Sequence, residues 1–234
     1  MSSNNTISNI FSNSIISILL FRAHIYSVIS HLFLLEPTKE YLRELVQDPI
    51  LKSISTRYSE SELKRSTVEF LEAVEELLNE EEQQLIDVWA EYTRLFIAPR
   101  PIAVPFESVQ RGGPFKGKLW EEVREWFLED GFILEDKSVL EDHAGVELEY
   151  MAKTCLRSYE LLNEGSTEDS IRILERQWRF MEEHVMKWIP RLCDVISQNS
   201  KSSFYRTFAR LTKSFLEEDF QLLDELLTYL KLTS

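Results

Sequence analysis

Apolar side chains return every three to four residues along almost the whole chain, the spacing that lays one stripe on a helix. Residues 7–35 predict a long first helix with Phe21, Ile25, Val28, Ile29 and Leu32 on one side. Glu36-Pro37-Thr38 breaks it, and Thr38 is placed to cap a short helix through Val46. Ser59-Glu60-Ser61-Glu62 has capping-box spacing and opens a helix to about Leu78. A further helix is predicted over 81–97, then a loop over 98–116. Lys118–Glu129 reads as a short amphipathic helix carrying Trp120, Val123, Trp126 and Phe127, stopped by Gly131. Residues 141–163 predict another, stopped by Gly165. Helix 167–198 is expected to bend or break at Pro190, because proline removes an i→i−4 bond. The last runs from Ser203 to about Leu230. Strand pairs, repeats and low-complexity tracts are absent from the pattern. The expected fold is therefore all-α: one helical-bundle domain over 1–234, about ten helices, with a hinge between its halves near 130–141.

Composition supports that picture. Apolar residues make up 44% and aromatics 12%, enough for a real core, while six glycines and seven prolines are few for a protein of hairpins. Net charge is −14. Such a surface lacks the electrostatic footprint of a nucleic-acid binder, and an anionic membrane repels it. It attracts a basic partner, such as a peptide rich in Arg or Lys; equally, the acidity serves solubility. Cys155 and Cys193 lie far apart within helical patterns and read as small core residues. The first 21 residues carry no charge but hold six serines, four asparagines and a threonine. The apolar run Ile15–Phe21 stops at Arg22, too short and too polar in its surroundings for a bilayer span, and no basic n-region precedes it. No Arg-Arg pair occurs, so the chain is not itself twin-arginine cargo. A cytoplasmic location without stable membrane insertion is expected.

Catalytic patterns fail on inspection. Gly112-Gly113-Pro114-Phe115-Lys116-Gly117-Lys118-Leu119 nearly fits a phosphate-binding loop. Leu119 stands where a hydroxyl is needed, no buried strand precedes it, and Pro114 removes an amide; a glycine turn before a helix is the simpler reading. Phe21, Val28, Leu140 and Met181 stand three residues before the four histidines, so no Glu-x-x-His motif exists for a di-iron bundle. His143 and Glu147 share a helix face as an ordinary polar pair. No nucleophile elbow occurs. The residues call for no enzyme activity, metal or cofactor.

Three segments remain. Residues 92–109 run from a helix ending in Leu95-Phe96 into a loop stiffened by Pro99, Pro101 and Pro105, closing on Pro105-Phe106-Glu107-Ser108-Val109. A stiff, partly apolar loop is suited to receive another chain. Glu141–Ala152 begins Glu-Asp-His, with Asp142 placed as an N-cap and Gly145 marking close approach by another helix or a ligand. Finally, Phe180, His184 and Trp188 fall on one helical face, a stripe that usually marks the core.

Together the three segments resemble the TorD/DmsD family of redox-enzyme maturation chaperones, to which the nitrate-reductase assembly chaperones are related. That family shows a helix ending in Leu-Phe, a proline-rich loop ending near Pro-aromatic-Glu-Ser-Val, then Asp-His before Glu-Leu-Glu-aromatic-Met, then Phe-x-x-x-His-x-x-x-Trp. This chain reproduces them in order, and Arg22–Leu42 looks like the family's opening helix and Glu-Pro break. The resemblance implies a cytoplasmic, all-helical chaperone. It implies binding of the twin-arginine leader or N-terminal region of a molybdenum-cofactor oxidoreductase subunit, held for cofactor insertion before export or assembly. It implies a monomer or a dimer formed by exchanging halves. The family's peptide-groove positions fall on Tyr92, Leu95, Phe96, Pro105, Phe106 and Asp142-His143, with Glu107 beside them in the motif. The apolar members suit the apolar core of a leader, and Asp142 and Glu107 suit its arginines. The chain departs from the family where Val139-Leu140 replaces a Glu-Pro linked to hinging and weak nucleotide binding, and where Gln110 replaces an aromatic residue. An alternative of another class is an acidic helical adaptor for a different basic partner.

Overall fold

Helix α1 (Ser2–Leu34) and helix α8 (Ala144–Asn163) form the most extensive pairing in the fold, and the other helices are arranged about them. The computed structural model describes residues 2–57, 59–79, 82–134 and 136–233; of the positions named above, Met1, Glu81, Glu135 and Ser234 lie outside them. After α1 come α2 (Lys39–Gln47), α3 (Pro49–Arg57), α4 (Glu62–Asn79) and α5 (Glu82–Tyr92). A π-helical turn, Thr93–Ile97, prolongs α5. The single turn α6 (Glu107–Gln110) and helix α7 (Lys118–Glu129) precede α8. Then follow α9 (Thr167–Phe180), a second π turn (Met181–Val185), α10 (Met186–Asn199) and α11 (Ser203–Thr233). Ten helices of nine residues or more thus stand among the described residues, and the all-α expectation holds.

Local chemistry explains most boundaries. The Thr38 hydroxyl accepts the Tyr41 amide at 3.1 Å and starts α2, as expected. Helix α3 escaped the periodicity, yet its signal was present in Asp48-Pro49. The Asp48 carboxylate accepts the amides of Ile50 and Leu51 at 2.9 and 2.8 Å, and a proline at the first helical position forgoes a donor that has no helical partner. Ser61, not Ser59, caps α4, through the Lys64 amide at 3.2 Å. Gly131 (φ +69°) and Gly165 (φ +80°) close α7 and α8 in the left-handed region, where a side chain is strained.

Two expectations are corrected. The interruption predicted at Pro190 falls instead at the second π turn, where the Met186 amide reaches back five residues to the Met181 carbonyl, and α10 then runs through Pro190. Such turns, like prolines, are where long helices yield. The apolar part of α1 is also longer than Ile15–Phe21. Ser14–Leu34 is long and apolar enough to cross a bilayer, and 56% of its most apolar window is buried in the fold.

Burial gives that stretch its job. Leu19, Ile25, Ile29, Leu32 and Phe33 are buried in the core. Gly145 allows α8 to touch α1: a Cβ there would lie 2.5 Å from Leu34 Cγ and 3.0 Å from the Ser30 carbonyl oxygen. The Ser30 hydroxyl donates to the Gly145 carbonyl at 2.7 Å. The partner that Gly145 accommodates is thus another helix. On the far side, buried Arg22 donates to both carboxylate oxygens of buried Asp219 on α11 at 2.6 and 3.0 Å, and the Tyr26 hydroxyl adds a 2.6 Å bond. Asp219 therefore ties α1 to α11.

Gly145→Ala is expected to lower stability by about 1–3 kcal/mol through overpacking, against about 1 kcal/mol of helix propensity gained, as measured by urea unfolding. Asp219→Asn leaves a buried guanidinium without its counter-charge, and a loss of about 3–5 kcal/mol is expected in the same assay.

Candidate functional site

The first π turn sends the chain back on itself. Widening the helix takes the Ala98 amide to the Thr93 carbonyl at 2.8 Å, and the Leu95 carbonyl instead accepts the Ala103 amide at 2.9 Å. Pro99 and Pro101 offer no amides to compete, so the loop has little choice of path. Tyr92, Leu95 and Phe96 are buried at this turn. The Tyr92 hydroxyl donates to the Phe33 carbonyl at 3.0 Å, and its ring meets that of Phe96 edge-on at 5.1 Å. Burial pushes the Tyr92 hydroxyl up to about 12.

Beyond it, the loop pairs with the residues that open α8. Phe106 and His143 form an antiparallel bridge, with the Glu107 amide on the Asp142 carbonyl and the Ala144 amide on the Pro105 carbonyl, both 2.9 Å. This clip corrects the reading of Asp142 as the cap of α8. His143 takes that place, its Nδ1 accepting the Gly145 amide at 3.1 Å. Asp142, drawn one residue outside the helix, instead accepts the Ser108 amide at 3.1 Å and caps α6. Burial pushes the His143 imidazole down to about 4. With Nδ1 turned to the backbone and Glu147 turned elsewhere, the expected His143–Glu147 pair does not form.

The third segment joins through carboxylates. Buried Glu107 meets His184 Nδ1 at 2.9 Å with one oxygen and accepts from Arg111 at 2.5 Å with the other. Arg111 also reaches the Glu183 carbonyl in the second π turn at 3.2 Å. Buried Glu147 accepts from Trp188 Nε1 at 3.1 Å. Phe180, His184 and Trp188 are all buried, so the aromatic stripe is core, with the Phe180 and His184 rings stacked at 5.0 Å. Three motif segments distant in sequence therefore meet at one point.

Carboxyls in this place are costly to ionise. Asp142 Oδ1, Glu147 Oε1 and the Ser108 hydroxyl are buried without a hydrogen-bond partner. Desolvation raises the pKa of Asp142, and desolvation reinforced by the Glu107 charge holds that of Glu147 well above the carboxylate range. Among the described residues no group of three His, Cys, Asp or Glu side chains is disposed to hold a metal. Gly112 (φ +81°) and Gly113, whose amide donates to the Ser108 carbonyl at 2.8 Å, make the glycine-rich stretch a tight turn between α6 and α7.

Of the eight sequence-predicted site residues, seven are buried: Tyr92, Leu95, Phe96, Pro105, Glu107, Asp142 and His143. Phe106 alone is partly exposed. Its ring stands edge-on between His143 at 5.1 Å and the exposed Phe115 at 5.2 Å. Glu107, Asp142 and His143 are brought together with Phe106, while Tyr92, Leu95 and Phe96 anchor the other end of the loop. Sequence reading missed Phe115 as a neighbour of Phe106, having set it aside with the glycine turn, and it missed the structural pairing of Glu107 with His184. A buried-acid signal was available in the polar residues on an otherwise apolar α8 face.

One pH effect follows. At neutral pH the unfolded chain holds Glu147 ionised while the fold favours its acid form, so this group's contribution falls as pH rises above the usual carboxylate range. His143 acts oppositely, with stability lost as pH falls from about 6.5 toward about 4, since the unfolded imidazole takes the proton first. Glu147→Gln is expected to unfold at an equal or higher urea midpoint than the unaltered chain at pH 7.5. The difference should shrink toward pH 4; a lower midpoint at both pH values would contradict the acid form.

The family described as nitrate reductase delta subunit matches residues 60–194. The chaperone protein TorD of Vibrio cholerae serotype O1 is 26% identical over 208 residues, covering 88% of this chain and 93% of that protein. That of Photobacterium profundum is 27% identical over 203 residues, covering 85% and 92%. The crystal structure of an Archaeoglobus fulgidus protein assigned to redox enzyme maturation aligns with a TM-score of 0.52 at 22% identity, over 84% of this chain and 93% of that one, a likeness of fold. The matched motifs, the helical fold and these relatives place the chain in the nitrate reductase delta subunit family, the TorD-like chaperones of redox-enzyme maturation, which are not catalysts.

Proposed function

We propose that this chain is a cytoplasmic chaperone that binds the twin-arginine leader or N-terminal region of a molybdenum-cofactor oxidoreductase subunit. It holds that segment until the cofactor is inserted, before export or assembly. The observation that carries the reading is the clip itself. A proline-stiffened loop, the start of α8 and the second π turn are locked together so that one aromatic ring, Phe106, is presented beside Phe115 at the surface. An apolar leader core needs such an anchored, preorganised aromatic contact, because ordering the anchor beforehand reduces the entropy lost on binding.

The buried members of the site take supporting parts. Tyr92, Leu95, Phe96 and Pro105 fix the loop, while Glu107, Asp142 and His143 fix the clip. Glu107 and Asp142 are engaged inside the fold, so the leader's arginines need carboxylates elsewhere. Exchange of halves between two copies, where it occurs, would pivot in the connector between α7 and α8.

Calorimetric titration with a twin-arginine leader peptide from a molybdoenzyme encoded beside this gene tests the reading. Micromolar or tighter binding is expected, weakened about tenfold or more by Phe106→Ala, whose partly exposed ring can be removed without opening the core. Binding to no leader, but to the mature subunit, would move the contact off the leader. Binding to neither would leave the adaptor reading.

A further inference from the structure

We infer that the groove between the C-terminal end of α1, helix α2 and the first π turn is where the basic part of a basic, apolar client segment docks. The inference rests on the leader-binding reading and adds the place and chemistry of charge recognition. The groove has a volume of about 630 Å³. Leu34, Tyr41 and Tyr92 contribute apolar surface, and Leu35 and Ile97 line it while 54% and 62% exposed. Glu36, Glu40 and Glu44 also line it, and no Lys or Arg does. An apolar surface flanked by three carboxylates is complementary to a segment that joins arginines to an apolar run.

The fold's own ion pairs leave these carboxylates largely available. Glu40 and Glu44 stand four residues apart on α2, a like-charge spacing that destabilises a helix by a few tenths of a kcal/mol. Glu36 lies two residues beyond the end of α1 and two before Thr38, the cap of α2, so the opposed ends of two helices act on it. Glu36 and Glu44 have no ion-pair or hydrogen-bond partner among the described residues. Glu40 meets only Arg43, at 3.7 Å with both side chains mostly exposed. An incoming guanidinium relieves the repulsion between Glu40 and Glu44.

The groove is also held in shape. Trp89 Nε1 donates to the Pro37 carbonyl at 2.9 Å, fixing the α1–α2 corner, and the His31 and Tyr41 rings pack at 3.9 Å across it. Ile97 ends the π turn and begins the loop that runs to Phe106, so one stretch of chain links a residue of the groove to the aromatic contact.

The test uses the full chain and a fluorescently labelled synthetic peptide with an Arg-Arg pair ahead of an apolar run, alongside a Gln-Gln version. The unaltered chain should prefer the Arg-Arg peptide. E36Q/E40Q/E44Q, which alters exposed side chains only, should bind it about tenfold more weakly at low salt. It should no longer distinguish the two peptides, and raising the ionic strength should narrow the gap from the unaltered chain. Ile97→Ser should weaken both peptides alike. If the triple variant, folded by circular dichroism, binds as tightly as the unaltered chain and keeps the Arg-Arg preference, the groove is overturned and leader binding stands. If the unaltered chain binds neither peptide, the leader-binding reading fails and the groove with it.

Discussion

Contact of α1 with α8 at Gly145 is the constraint on which the arrangement depends. At that point no Cβ fits, and the Ser30 hydroxyl bonds directly to the backbone of the opposing helix. The approach fixes where α8 begins, and hence where His143 and Asp142 stand. Because the bridge to Phe106 is built on those residues, the path of the proline loop is set by a helix crossing made mostly of the first helix and its neighbours. A small residue two positions from the cap thus links the packing of the core to the placement of an aromatic ring at the surface.

The same arrangement spends buried charge freely. Glu107 sits between a guanidinium and an imidazole, Glu147 under an indole, Asp142 over the start of a single helical turn. Each ties one motif segment to another, as an apolar side chain of similar size would not, since a carboxyl specifies direction as well as contact. Where a second oxygen finds no donor, as in Asp142 and Glu147, burial raises the carboxyl's pKa. Segments of different sequence origin are thereby held in one register.

How much of this was legible beforehand follows the physics of each feature. Helices with apolar stripes, the stop at Gly131 and the cap at Thr38 rest on local rules, and they formed where expected. Gly145 announced a close approach because glycine within a helix is otherwise unfavourable. The clip was not legible, because a single antiparallel bridge between residues 106 and 143 leaves no periodic trace. Asp142 followed from that omission: residue type fits a cap, but tertiary pairing decided which helix it caps. The π turns were missed for a similar reason, since a one-residue widening preserves the apolar stripe on both sides. Seven of the eight site residues proved buried because motif resemblance marks what a family keeps, and what it keeps includes the scaffold beneath a contact.

The bond between Arg22 and Asp219 spans 197 positions of sequence. During synthesis at roughly 5–20 residues per second, α1 therefore waits on the order of 10–40 s before the helix that neutralises its guanidinium has been made. For most of that interval its long apolar face lacks α8, and for all of it α11. A protein placed in a family that guards other chains thus begins its own synthesis with an apolar helix whose cover is made later in the same chain.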